Sequence, residues 1–264
     1  MASPNLSEII TTTLRNRSKT LADNVTNHNA LLRRLRENGN ISTVTGRQIV
    51  RELEYASNGT VGFYSGYETL DVSPSDVLTS ATFDYKQLAG NVTISGLEQI
   101  QNSGTEAVIN LLESRIGVLE KTMMNTLSTS LYSDGTGSSG KEIGGLQLLV
   151  ADAGTGTVGG INSSTFTFFQ NAQITATSSA FSTANVQDDM NNIYLSLVRG
   201  ADSPDLIMAD ANAYKAFLGS LQAIQRVTSD TVATSGFTSV QYLNSDVIFD
   251  DACPTNKMYF LNTD

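Results

Sequence analysis

Apolar residues recur three and four apart at Val108, Leu112, Ile116, Leu119, Met123, Leu127 and Leu131. That spacing lays one stripe along one face of a helix. Glu113, Glu120 and Lys121 fall off the stripe. Ser103 and Glu106 form an S-x-x-E pair, the capping box that satisfies orphan amides at a helix start. Asp134 and Gly135 supply the stop. The pattern predicts one helix over residues 103–133, a rod of about 45 Å at roughly 1.5 Å per residue. Globular helices average about a dozen residues, so this one reads as a spine on which other pieces are laid.

The pattern before the spine has period two. Gln48-Ile49-Val50 and Leu53-Glu54-Tyr55 read as extended. Ala81, Phe83 and Tyr85 alternate with Thr82, Asp84 and Lys86, as in a two-sided strand. Val92-Thr93-Ile94 continues that strand past a bulge expected at Gly90. Between them run Thr60 to Tyr67, rich in aromatics and glycine, and a turn at Leu70 to Pro74. The result is a long two-stranded excursion, and a lone two-stranded ribbon is marginal in water. Its Val61, Phe63, Tyr64, Tyr67, Leu70, Val72 and Phe83 have little local core. Pattern alone slightly favours their folding back on their own domain over lying across another chain.

Residues 1–40 form an arm with two thin apolar stripes. Leu6, Ile9, Ile10 and Leu14 predict a short helix. Leu21, Val25, Leu31, Leu32 and Leu35 predict a second, ending at Asn38-Gly39. Helices this polar need something to lie on. After the spine, residues 134–165 are rich in Gly, Ser and Thr, broken by Leu146 to Val150, a short buried strand or turn. Phe166, Phe168, Phe169 and Ile174 are candidates to anchor the next layer. Then come a helix over Asn185 to Val198, a strand at Asp205 to Ala209, a helix capped by Asp210, and strands at Val240 to Leu243, Asp246 to Asp250 and Lys257 to Leu261. That order is α+β or α/β. The chain stops directly after a strand, so a further C-terminal piece is expected.

Charge divides the 264 residues unevenly. Eight Lys/Arg stand against three acids in the first 51 residues, a balance of +5 within a net −10, which leaves −15 on the rest. Such an arm can meet an acidic partner, either nucleic acid or the acidic body of a neighbour. Arg33, Arg34 and Arg36 are its densest group; the plainer reading is a solvated helix face. One cysteine, Cys253, excludes an internal disulfide. Together with one histidine, His28, it cannot build a zinc site. No signal peptide or membrane span is legible, which points to a reducing cytoplasm.

Catalytic patterns fail on inspection. Gly135 to Lys141 satisfies G-x-x-x-x-G-K, but a helix precedes it and Glu142 stands where a magnesium-binding hydroxyl belongs. Gly154-Thr155-Gly156-Thr157-Val158-Gly159 follows an apolar run, but β-like residues follow it rather than a helix. Asp188-Asp189 reads as helix N-terminal charge. Asp250-Asp251 reads as turn residues, and on a strand neighbours would point to opposite faces, which argues against a shared site. No catalytic, cofactor or metal site is expected.

Three stretches together resemble a family: Gly46 to Tyr55 leading into Tyr64-Ser65-Gly66-Tyr67 and on to Pro74; Thr93-Ile94-Ser95-Gly96-Leu97-Glu98-Gln99-Ile100-Gln101-Asn102-Ser103-Gly104 entering the spine; and Leu131 to Gly135 followed by Gly144-Gly145-Leu146-Gln147. The chain resembles tailed-bacteriophage major capsid proteins with the Hong Kong phage-type fold. The resemblance implies an α+β fold with an N-terminal arm (1–45), an extended β-ribbon or E-loop (46–97), a peripheral domain on the spine helix (98–140), an axial α/β domain (141–252) and a strand returning to the peripheral domain (253–264). It implies ribbon contacts between subunits at Val61, Phe63, Tyr64, Tyr67, Phe83 and Lys86, and arm contacts at Arg33, Arg34 and Arg36. Some relatives cross-link through a ribbon lysine. Lys86 is the only one here, and no acceptor is legible, so no cross-link is expected. The implied partners are copies of the chain in pentamers and hexamers, with scaffold, portal and decoration proteins, around double-stranded DNA bound without sequence specificity. The implied place is the virion, assembled in the bacterial cytoplasm. A nanocompartment shell of the same fold, and a nucleotide-dependent enzyme using the Gly154 loop, are the alternatives.

Overall fold

A computed structural model describes residues 29–42, 46–97, 105–177, 180–221 and 239–263. The first arm helix, His28, Ser103 of the capping box and the side chains of Glu106, Val108 and Leu112 lie outside the described positions.

The spine forms as its stripe dictates. Helix α2 spans Thr105–Ser130, with α1 (Ala30–Glu37) before it in the chain. Ile116 is buried and Leu119, Met123, Leu127 and Leu131 are half-buried, while Glu113 and Lys121 are exposed. Tight turns carry the chain on through Tyr132 and Ser133 to Gly135, whose φ is +76°. The carbonyls freed at this end do not go unmet: Leu131 accepts from the Leu146 amide at 2.7 Å, and Ser133 from the Gly145 amide at 2.9 Å. Residues 146–149, expected as a strand or turn, form one helical turn.

The main sheet has four strands in the order β6-β7-β5-β8: β5 is Leu206–Ala209, β6 Ser239–Tyr242, β7 Ser245–Phe249 and β8 Met258–Leu261. β5 and β7 are parallel, and the other two pairings are antiparallel. All four residues of β5 are fully buried, as a central strand covered on both faces must be. Leu206, Met208, Ile248 and Tyr259 point to one face, where they pack with Ala30, Leu31, Tyr132 and Leu146. Ile207, Val240 and Val247 point to the other, under Val186, Met190, Ala216 and Phe217. Those last four come from α3 (Val186–Leu197) and α4 (Ala211–Ser220). Asp210 caps α4 as expected, accepting from the Ala213 amide at 2.9 Å.

β8, expected to begin a return to a peripheral domain, pairs with β5 as the fourth strand of the sheet. α1 packs on that same sheet, the surface that so polar and short a helix needs.

Candidate assembly surface

β1 (Gln48–Glu54) and β2 (Leu78–Asp84) pair antiparallel from Gln48↔Asp84 to Glu54↔Leu78. The Tyr55 amide donates to the Val77 carbonyl at 3.0 Å and extends the ladder one step. Beyond it, residues 56–76 run without strand pairing. Their large apolar side chains are in the open: Val61, Phe63, Tyr64, Tyr67, Leu70 and Val72 are all exposed, Phe63 and Tyr67 completely. The pattern-based preference for a ribbon folded back on its own domain is therefore overturned. Among the described residues, none covers these six groups.

The tip is nonetheless ordered by its own polar residues. Asn58 Oδ1 accepts from the Thr60 amide at 3.0 Å and hydroxyl at 2.7 Å. Asp71 Oδ1 accepts from the Ser73 amide at 2.9 Å and hydroxyl at 2.5 Å. Glu68 Oε2 accepts from the Ser65 amide at 3.0 Å. These side-chain turns mimic backbone turns. The Ser73 hydroxyl, then its amide, hold the Asp71 carboxyl below the usual carboxylate range. Local caps of this kind lower the ordering cost of any contact the tip makes.

The base of the ribbon, in contrast, is tied to the body. β3 (Thr157–Val158) and β4 (Ile161–Asn162) form a small hairpin, and its Gly159 carbonyl accepts from the Thr82 amide at 2.9 Å. Gly159 sits at φ +57°, and a Cβ there would lie 2.7 Å from the Ala81 Cβ. The ring of Phe168 lies 5.2 Å from that of Tyr55. Phe83 is half-buried beside Gly159, where it packs the ribbon against the body. Lys86 Nζ donates to the Gly140 carbonyl at 2.6 Å. The bulge expected at Gly90 is absent: residues 85–95 form no strand, and Gly90 instead lets the backbone approach Leu119 and Met123 of the spine closely.

The three arm arginines separate. Arg33 pairs with Glu37 on its own helix at 3.1 Å. Arg34 turns inward, to 3.4 Å from Asp246 and 4.0 Å from Asp205. Arg33 is half-buried and Arg36 exposed. Arg34 belongs to the basic cluster that the sequence marks, but no local signal marks its partners, which lie more than 170 residues away in the sequence.

The remaining candidates have structural roles. The Gly154 loop leads into the β3–β4 hairpin, not into a helix. Buried Asp189 accepts from the Thr177 amide and hydroxyl. Asp250 accepts from the Tyr132 hydroxyl. Cys253 is buried, and burial, then Asp210 and Asp250, push its thiol up to about 12, which leaves it without nucleophilic character. Among the described residues, no cluster could hold a metal ion and no helix is long and apolar enough to cross a membrane. Of Phe166, Phe168, Phe169 and Ile174, expected to anchor a layer, Phe169 is half-buried and the other three are exposed.

No protein-family model and no curated protein matches the sequence. Among solved structures, a chain of the cyanophage A-1(L) capsid asymmetric unit matches with a TM-score of 0.61 at 19% identity, over 82% of this chain and 66% of that one. The chain thus spans just under two thirds of its structural neighbour. The chain, a mix of helices and sheet, shares the fold of that capsid-unit chain.

Proposed function

We propose that this chain is a non-enzymatic phage shell protein, a major capsid protein of the Hong Kong phage type whose activity is self-assembly. The observation that carries the reading is the ordered ribbon tip with six exposed large apolar side chains. Burying each contributes roughly 1.5–3 kcal/mol, so one covered tip supplies on the order of 10 kcal/mol before the costs of association. A second copy of the chain is the natural cover: the tip lies over the neighbour, the spine domains tile, and the axial sheets gather around five-fold and six-fold axes in pentamers and hexamers. Modest contacts repeated over a closed shell add through multivalency.

An acidic body favours enclosing double-stranded DNA without sequence-specific grip, since phosphate binding needs basic partners. Scaffold, portal and decoration proteins would complete a virion assembled in the bacterial cytoplasm. Sedimentation velocity of the purified chain over a hundredfold concentration range tests the reading. Discrete large species growing with concentration are expected, and a monomer throughout would refute it.

A further inference from the structure

The helix α1 is held by two unequal sets of contacts. The apolar set is small: Ala30 and Leu31 are buried, and Leu35 partly so, on the sheet face of Leu206, Met208, Ile248 and Tyr259. The polar set is a clasp that joins distant parts of the chain. Arg34 reaches Asp246 and Asp205. The Thr263 amide and hydroxyl donate to Asp205 at 2.8 and 2.5 Å. Asn38 donates to the Thr263 hydroxyl at 2.7 Å, and Asn40 to the Thr263 carbonyl.

The clasp is incompletely satisfied at its centre. Arg34 Nε and Asp246 Oδ1 are both buried with no hydrogen-bond partner among the described residues. Taking charges out of water costs several kcal/mol per ion, recovered only when geometry is good and remaining donors and acceptors are met. Here one contact is 3.4 Å, the other 4.0 Å, and an atom on each side is unmet. Net stabilisation from the pair is therefore small. The helix itself is too short to persist undocked. β5, one layer below, is buried without remainder. The chain leaves α1 through Gly39 at φ +76°, a left-handed position that favours glycine.

From this contrast we infer that α1 is a latch: it undocks from the sheet as a unit while the four strands stay folded, and it uncovers the part of the Leu206, Met208 and Ile248 face that Ala30 and Leu31 cover, while Tyr132 and Leu146 stay in place. Elements differ in opening free energy within one native fold, and thinly held layers open first. The inference does not depend on the chain forming a shell.

Hydrogen exchange of the full chain, read by mass spectrometry, tests it. In the wild type, amides of α1 exchange on the order of a hundredfold faster than those of β5. In Arg34→Met/Asp246→Leu, an apolar pair replaces the ionic one, and exchange of α1 slows about tenfold. Asp246→Leu alone strands Arg34 and speeds it. Equal exchange of α1 and β5 in the wild type overturns the latch, as does a double variant whose β5 stays protected while α1 exchanges no more slowly than before. If a variant loses β5 protection, the wild-type comparison alone decides.

Discussion

The Tyr132 hydroxyl donates to Asp250 Oδ2 at 2.7 Å, across 118 positions of sequence. This bond ties the end of the spine to the end of β7. Tyr132 is almost fully buried, its ring 6.2 Å from that of Tyr259. Tyr132→Phe keeps the packing and leaves Asp250 short of a donor, a loss of about 1–3 kcal/mol. A urea melt would show a lower midpoint with an unchanged slope. An unchanged midpoint would mean that spine and sheet are joined by packing alone.

Alkali should loosen the same junction. Burial, then the carboxylates of Asp210 and Asp250, raise the Cys253 thiol from 9.0 to about 12. Burial, then Asp250, raise the Tyr132 hydroxyl well above its ordinary value. Both groups are neutral in the fold, so their stabilisation is complete below their unfolded values and falls as pH rises through the folded ones. Melting temperature should decline from about pH 9, where an unfolded thiol begins to ionise. Cys253→Ala should remove the slope between about pH 9 and 10, before tyrosine ionises. A wild type equally stable at pH 8 and 11 would contradict this.

Much of the sheet half could be read from sequence, because its signals are local. Asp210 before an apolar run became a cap, and the stripe from Val186 to Leu197 became α3. The spine was readable for the same reason. The ribbon's strands were readable too, but not the fate of its tip, since pattern records which residues are apolar and not whether anything covers them. The pairing of Arg34 with Asp246 is not legible locally, because only the docking of α1 brings the two together. Gly90 looked like a bulge from its flanking strand residues; it is spacing against Leu119 and Met123.

Gly159 places the ribbon on the body. Gly159→Ala adds a Cβ at φ +57° against Ala81, so strain and contact act together, and a loss of roughly 1–3 kcal/mol is expected. Limited proteolysis should cut residues 55–77 faster in the variant, if the hairpin tip fixes the stalk. Identical cleavage rates would show that Phe168 and Tyr55 suffice.

Phe63 and Tyr67 make the sharpest separation between fold and assembly. Both are fully exposed in the single chain, so Phe63→Ser/Tyr67→Ser should change monomer stability by no more than about 0.5 kcal/mol. Assembly, followed by light scattering, should fall at least tenfold. Loss of the monomer fold would mean that the tip packs on its own core after all.

Electron microscopy of the purified chain addresses the central claim most directly. Closed shells or rings of subunits, absent from the Phe63→Ser/Tyr67→Ser preparation, are the predicted images. A field of isolated particles of single-chain size at every concentration, identical for both proteins, would contradict the account.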